Sequence, residues 1–435
     1  MMHALALRRS LPRVATRALL HRVRVPVSSN TRRWASEQSA AASHPNFAGY
    51  DDSIHFRNTH EPFRCFRVMD ERGLVLKEEL DPNVGEEVAV KIYKNMVELS
   101  VLDSIFYEAQ RQGRISFYMT SLGEEAATVG SSAALDLKDV IFGQYRETGA
   151  LIWRGFTFEQ CANQCLGNSA DPGKGRQMPI HYGSKEHNFQ TISSPLGTQI
   201  PQAAGAGYAL KREGSENIAV CYFGEGAASE GDFHAAINFA AVTSAHTLFI
   251  CRNNGYAIST PVQEQYNGDG IAGRGPGYGI DTVRVDGNDV WAVYSATREA
   301  RKRIIETGRP VLLELLSYRG GHHSTSDDAS RYRPTDELAH WTATNNPVKR
   351  LSQYLQAKGW WSEDKEKALR EDARARVLSA LDTAEAKLKP KISELFNDVY
   401  AEKSPHLEEQ LAEVMKHIAK YPEEYGVDQY EPESK

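Results

Sequence analysis

The sequence predicts an α/β protein: a doubly wound parallel sheet with helices on both faces, an extended N-terminal tail before it and a helical C-terminal extension after it. Three observations predict it. Short β-prone runs alternate with helical stretches through the centre, a βαβ rhythm that implies parallel strands. Glycine- and asparagine-rich loops leave two of those runs, and beyond Asn345 the chain becomes helical and charged.

In chain order, residues 1–35 carry Arg8, Arg9, Arg13, Arg17, Arg22, Arg24, Arg32 and Arg33 among Leu, Val, Ala and Ser, and the first acid is Glu37. An arginine-rich, acid-free N-terminus has the composition of a mitochondrial transit peptide, the alternative being a basic arm for nucleic acid or anionic lipid. Residues 36–86 read as an N-terminal extended segment, polar and with little periodicity up to residue 62. From 87 to 112 apolar residues recur every three or four positions, which predicts a long amphipathic helix ending at Gly113 and opens an α/β domain over 87–345. Within it Ile218–Phe223, Thr247–Cys251, Thr282–Val285 and Val311–Leu316 read as strands, with helices from about Asp232 to Ala245 and from about Val290 to Arg303. In the extension, 346–435, Leu369, Ala373, Val377, Leu381, Ala384 and Leu388 fall on one helix face and Pro390 acts as a stop.

At 435 residues and 41% apolar content the chain can bury a large core. No apolar run approaches the roughly 18–20 residues of a membrane span. Without the eight arginines of the N-terminus the formal charge moves from −6 to about −14, which repels nucleic acid. Cys65, Cys161, Cys165, Cys221 and Cys251 are odd in number, scattered and without CxxC spacing. Buried, reduced thiols are therefore expected, not a disulfide framework or a structural zinc site.

In a parallel sheet ligands collect beyond the carboxyl ends of strands, where the loops leaving Phe223 and Cys251 should lie side by side. The first reads Gly224-Glu225-Gly226-Ala227-Ala228-Ser229-Glu230-Gly231-Asp232 and the second Arg252-Asn253-Asn254-Gly255-Tyr256. One carboxylate and one amide on adjacent strand ends suit a hard cation such as magnesium, which takes a few protein oxygens plus phosphate oxygens. Glycines beside Glu225 let backbone approach a diphosphate, and the following helix N-terminus favours its charge.

A glycine–acid–glycine turn followed some 26 residues later by paired asparagines resembles the thiamine-diphosphate motif. The chain is similar to the alpha subunits of the thiamine-diphosphate-dependent decarboxylases of 2-oxoacid dehydrogenase complexes, and to their branched-chain subgroup in particular. The resemblance implies the thiamine-diphosphate-binding fold, with Glu225, Asn254 and the Tyr256 carbonyl on magnesium; aspartate is the family's usual acid, and Glu225 is one methylene longer. It also implies cofactor contacts from Tyr145, Arg146, Gly226, Ala227 and Arg252. Ser193-Ser194-Pro195-Leu196-Gly197-Thr198-Gln199 resembles the subgroup's potassium loop, with Ser193, Pro195, Thr198 and Gln199 on the ion and Ser194 and Leu196 on the cofactor.

After Leu316 the loop Ser317–Arg333 holds His322-His323-Ser324-Thr325-Ser326-Asp327-Asp328. Two histidines and two aspartates could make a transition-metal site, but the string resembles the decarboxylase's regulatory loop. By that resemblance His323 binds the diphosphate and moves a proton, for which an imidazole is suited near neutral pH, and Ser324 is a phosphorylation site acted on by a kinase and a phosphatase. In the loops it resembles, a second serine follows the Tyr-Arg pair, whereas Tyr332-Arg333 is followed here by Pro334. The resemblance further implies a beta subunit supplying the other half of the site in an α2β2 heterotetramer, a lipoyl-bearing transacylase core as acyl acceptor, and the mitochondrial matrix. A pyruvate dehydrogenase alpha subunit, or a non-catalytic assembly or regulatory subunit, are the competing readings.

Overall fold

The computed structural model describes residues 53–56 and 61–433, so the transit peptide and most of the tail predicted after it lie outside the described residues. The chain divides into two units, Met1–Glu61 and Pro62–Lys435, and the second carries the sheet. Its strands are β1 (Cys65–Phe66), β2 (Val140–Phe142), β3 (Phe189–Gln190), β4 (Ala219–Gly224), β5 (Thr247–Asn253), β6 (Asp281–Asp286) and β7 (Val311–Leu316). They form one seven-stranded sheet in the order β1-β6-β7-β5-β4-β2-β3, every neighbouring pair parallel. The longer helices are α1 (Glu86–Arg111), α2 (Phe158–Leu166), α3 (Gln199–Arg212), α4 (Gly231–Thr243), α5 (Val290–Thr307), α6 (Thr335–Thr344), α7 (Pro347–Ala357), α8 (Glu363–Glu385) and α9 (Pro405–Lys420).

Successive strand side chains point to opposite faces, and here both faces are apolar, which is why the central runs read as unbroken hydrophobic stretches. Ala219, Cys221, Phe223, Phe249 and Cys251 join Ile200, Ala203, Phe233 and Ile237 of α3 and α4 in one core. Val220, Tyr222, Leu248, Ile250 and Leu313 join residues of α1, α5 and α8 in the other. The sheet is thus wound on both sides, as predicted. The five cysteines are free, Cys65 exposed and the other four buried.

Boundaries move by a few residues, each for a local reason. β5 runs to Asn253, beyond the predicted Cys251, because Arg252 and Asn253 keep their pairing with Leu315 and Leu316 of β7. α4 stops at Thr243, where Ser244 turns left-handed at φ 53, and α5 continues to Gly308 at φ 66. Strands β1 to β3 hold two or three residues each, too few to show a period in the sequence. Next to β1, Val68 and Met69 are fully buried and their N–H groups donate to Asp289 Oδ2 at 2.7 and 2.6 Å.

In the C-terminal region α8 buries Leu369, Ala373, Val377, Leu381 and Ala384 and packs on α1 and α2. Leu388 corrects the predicted stripe: α8 ends at Glu385 and Leu388 is 37% exposed beyond it. Proline biases the residue before it toward extended backbone, and Lys389 accordingly makes a parallel bridge with Tyr430. Leu381→Ala is expected to cost roughly 2–5 kcal/mol in denaturant unfolding, whereas Leu388→Ala should stay within about 0.5 kcal/mol. Among the described residues no helix is long and apolar enough to cross a membrane.

Candidate active site

The carboxyl ends of β4, β5 and β7 surround a cavity of about 300 Å³. Glu225 follows β4 directly and is 2% exposed. Its Oε1 is buried without a hydrogen-bond partner. Burial raises its carboxyl pKa, and the parallel pairing of Gly224 with Arg252 at the strand ends places the two loops side by side as predicted. A side chain at Gly226 would bring a Cβ within 2.6 Å of the Ala257 Cβ, so only glycine lets the loops approach this closely. Ala227 opens a short 3₁₀ turn that leads into α4.

The cavity wall holds Arg146, Arg252 and Arg319 against a single carboxylate, that of Glu225. All three guanidinium groups are at most 2% exposed, and Arg252 Nη2 and Arg319 Nε have no partner. Behind the wall, two carboxylates that sequence reasoning missed face Arg252 and Arg146, while Arg319 donates to the Ile258 carbonyl and the Tyr332 hydroxyl. Arg252 Nε donates to Glu147 Oε1 at 2.6 Å and Nη1 to Glu124 Oε2. Burial alone would raise the Glu124 carboxyl pKa, but Arg252 and Arg146 outweigh it and hold the group below its usual range. Glu147 Oε2 also accepts the N–H groups of Gln144 and Tyr145 at 2.8 and 2.9 Å, and Gln144 Oε1 accepts the Gly224 N–H at 2.9 Å. Glu147 directly follows the Tyr145-Arg146 pair, a signal that could have found it. Glu124 sits in an ordinary-looking Ser-Leu-Gly-Glu-Glu turn and offered none. Arg319 lies two residues past β7's own loop start at Ser317, at the same sheet edge as the predicted residues.

Asn254 lines the cavity and donates from Nδ2 to Glu124 Oε1 at 2.8 Å, while its Oδ1 accepts the Tyr256 N–H at 3.2 Å. The Tyr256 carbonyl accepts from Arg319 Nη1 at 3.4 Å. Asn253 points the other way, donating to Glu314 at 2.8 Å and to the Tyr266 hydroxyl.

His323 lines the same cavity. Its Nδ1 lies 3.3 Å from Arg146 Nη2, which also donates to the His323 carbonyl at 2.7 Å. Arginine only donates, so Nδ1 is the unprotonated nitrogen and the proton sits on Nε2. Burial, then Arg146 and Arg319, lower its pKa to about 3, so the ring is neutral around pH 7. Tyr145 meets it edge-on at 6.0 Å. The loop's other histidine and its two aspartates have different tasks. His322 Nδ1 accepts the Ala329 N–H, Asp327 accepts from the His323 N–H and the Tyr332 hydroxyl, and Asp328 caps Ser330. Ser324 is 7% exposed.

The Ser193–Gln199 loop is only partly at the cavity. Leu196 lines it; Ser194 instead bonds His181 Nε2 at 2.8 Å. Thr198 Oγ1 donates to the Pro195 carbonyl at 3.0 Å, and Gln199 donates to the Tyr222 carbonyl at 3.1 Å. These bonds bring the oxygens of Pro195 and Thr198 together; Ser193 is partly exposed on the same turn.

Residues 93–393 match the family described as dehydrogenase E1 component. The chain belongs to that family. This E1 chain is 54% identical over 382 residues to a protein of Dictyostelium discoideum named 2-oxoisovalerate dehydrogenase subunit alpha, mitochondrial, covering 88% of this chain and 87% of that one. It is 55% identical over 393 residues to the mouse protein of the same name, with 89% of each covered, and 51% identical over 409 residues to the human one, with 93% and 92% covered. E1 components depend on thiamine diphosphate. The residues present fit its diphosphate end: a buried, unpartnered carboxylate oxygen for a cation, unpartnered guanidinium nitrogens for phosphate, and a glycine where a Cβ would intrude.

Proposed function

We propose that this chain is the alpha subunit of a branched-chain 2-oxoacid dehydrogenase of the mitochondrial matrix. In this reading it decarboxylates the 2-oxoacids derived from valine, leucine and isoleucine and passes the acyl group to the lipoyl group of a transacylase core. The single observation that carries it is the cavity wall of three buried arginines and one unpartnered carboxylate at the ends of β4, β5 and β7; the names of the relatives favour branched-chain substrates over pyruvate. Arg146 and Arg252 hold the diphosphate with Tyr145, Gly226 and Ala227 around it. Magnesium is held by Glu225, Asn254 and the Tyr256 carbonyl. Potassium is held by Ser193, Pro195, Thr198 and Gln199, with Leu196 at the cofactor and Ser194 reaching it once its hydroxyl leaves His181. Residues 1–35 serve as transit peptide, 36–86 as an extended segment, 87–345 as the cofactor domain and 346–435 as a helical extension.

When bound, thiamine diphosphate supplies the reactive carbon and electron sink for decarboxylation. The protein's part is positional and protonic. His323, neutral with its proton on Nε2 and its Nδ1 engaged by Arg146, offers that N–H as a hydrogen-bond donor. Its pKa of about 3 departs from the near-neutral titration expected of it, so to pass a proton it would first have to take up a second one. That uptake is favoured when a bound diphosphate offsets the charges of Arg146 and Arg319. The apolar Leu196 and Ile258 line the cavity at its solvent-exposed rim. Glu225 is the one carboxylate on the cavity among the described residues, and in this reading the acid that activates the cofactor's aminopyrimidine ring is supplied by the beta subunit of an α2β2 assembly.

Two measurements test the reading. The purified chain alone is expected to show negligible turnover and weak cofactor binding; robust decarboxylation without a beta subunit would refute the shared site. Co-expressed with its beta subunit, it should turn over 3-methyl-2-oxobutanoate well in preference to pyruvate; the reverse preference would return the pyruvate dehydrogenase reading.

A further inference from the structure

Glu124 stands behind the cavity wall, fully buried, and its two oxygens serve two different residues. Oε1 accepts from Asn254 Nδ2 at 2.8 Å and Oε2 accepts from Arg252 Nη1. An ionised carboxylate has only acceptors. The end of the Asn254 amide that meets it is therefore the NH₂, and the amide oxygen is turned the other way. We infer that Glu124 is a positioning residue: it fixes the Asn254 amide with its oxygen toward a bound magnesium ion while holding Arg252 in place for the diphosphate.

The inference rests on the proposed role of Asn254 as a magnesium ligand. A flipped Asn254 would aim two N–H groups at a cation, which repels them. The Tyr256 N–H, donated to Asn254 Oδ1 at 3.2 Å, favours the same orientation but is a longer bond between neutral groups. Glu147 does not duplicate the role, because its oxygens are taken by Arg252 Nε and by the Gln144 and Tyr145 N–H groups. Glu124 is itself held in place. Its N–H donates to the Ser121 carbonyl at 2.9 Å, and the preceding Gly123, at φ +89, lies so close to the Tyr318 carbonyl that a Cβ there would collide with it.

Glutamine at this position keeps one acceptor and gains an NH₂, so either Asn254 or Arg252 then faces another donor. In the tetramer assembled with its beta subunit, Glu124→Gln is expected to weaken magnesium binding by about 10–100-fold, titrated by calorimetry at saturating thiamine diphosphate. The double variant Glu124→Gln, Asn254→Asp exchanges amide and carboxylate, so that a carboxylate accepts from an amide across the same pair and still offers the cation an oxygen. It is expected to recover most of the loss, which a mere defect in folding would not allow. Unchanged magnesium affinity in Glu124→Gln, or a loss that the double variant does not recover, overturns the inference and leaves the site reading intact. Unchanged affinity in Asn254→Ala overturns the magnesium reading itself, and the inference with it.

Discussion

Glu225→Ala is expected to abolish cofactor-dependent activity of the assembled enzyme and, at the same time, to leave the cofactor-free chain as stable as the wild type or more so. The two effects have one cause. Glu225 is 2% exposed with an oxygen that has no partner, and burying a charged group without compensation is costly. That cost is removed when the carboxylate is deleted. With magnesium present the same oxygen becomes a ligand in a site with few protein oxygens, and its loss should exceed the roughly 10–100-fold that removal of a supporting partner costs. Thermal unfolding with and without magnesium and thiamine diphosphate separates the effects. Wild type should gain stability on adding both, and Glu225→Ala should start no lower and gain almost nothing. A variant whose melting point still rises like the wild type's would remove Glu225 from the metal site.

How much of this could be read from the sequence depends on how local each signal is. Strands β4, β5 and β7 were legible because six or seven consecutive residues face two apolar cores, which no surface segment would do. The Glu225 and Asn254 loops were legible because their chemistry is spelled within a few residues and their spacing follows from one βαβ unit. β1, β2 and β3 were not, since two or three residues carry no period, and only parallel pairing with distant strands makes them strands at all. Glu124 was hidden for a similar reason. It lies 130 residues from Asn254 and 128 from Arg252, and nothing in its own turn distinguishes it from a solvated acid. Leu388 failed in the opposite sense: the helical period continues in the letters to Leu388, three residues past the end of α8 at Glu385.

Ser324→Glu is expected to remove most overall complex activity, while Ser330→Glu keeps it, although both add one charge to the same loop. The difference is burial and connection. Ser324 is 7% exposed and its Oγ accepts the Ser326 N–H at 3.2 Å. On one side His323 offers its carbonyl to Arg146 Nη2 at 2.7 Å. On the other, Thr325 is stitched to Tyr118 by two bonds, from its own N–H at 3.0 Å and to its Oγ1 at 3.1 Å. A charge at Ser324 can reach water only by breaking that stitching, and the break passes to His323 and Arg146, which we propose hold the diphosphate. A kinase would likewise need the loop open before it could reach the hydroxyl, and the phosphate, with close to two negative charges, would keep it open. Ser330 is exposed, its hydroxyl donating to Asp328 at 2.6 Å, so a charge there stays solvated. The far end of the loop is held independently. Pro334, at φ −61, caps α6 and has no hydroxyl to modify, and Arg333 donates to the carbonyls of Arg319 and Gly321. Control should therefore rest on Ser324 alone, with Ser326 and Ser330 as silent acceptors. Hydrogen exchange in the Ser324→Glu tetramer should speed up at Tyr118 and Thr325 and stay slow at Arg333. Kinase treatment that still inactivates a Ser324→Ala variant would place the control point elsewhere.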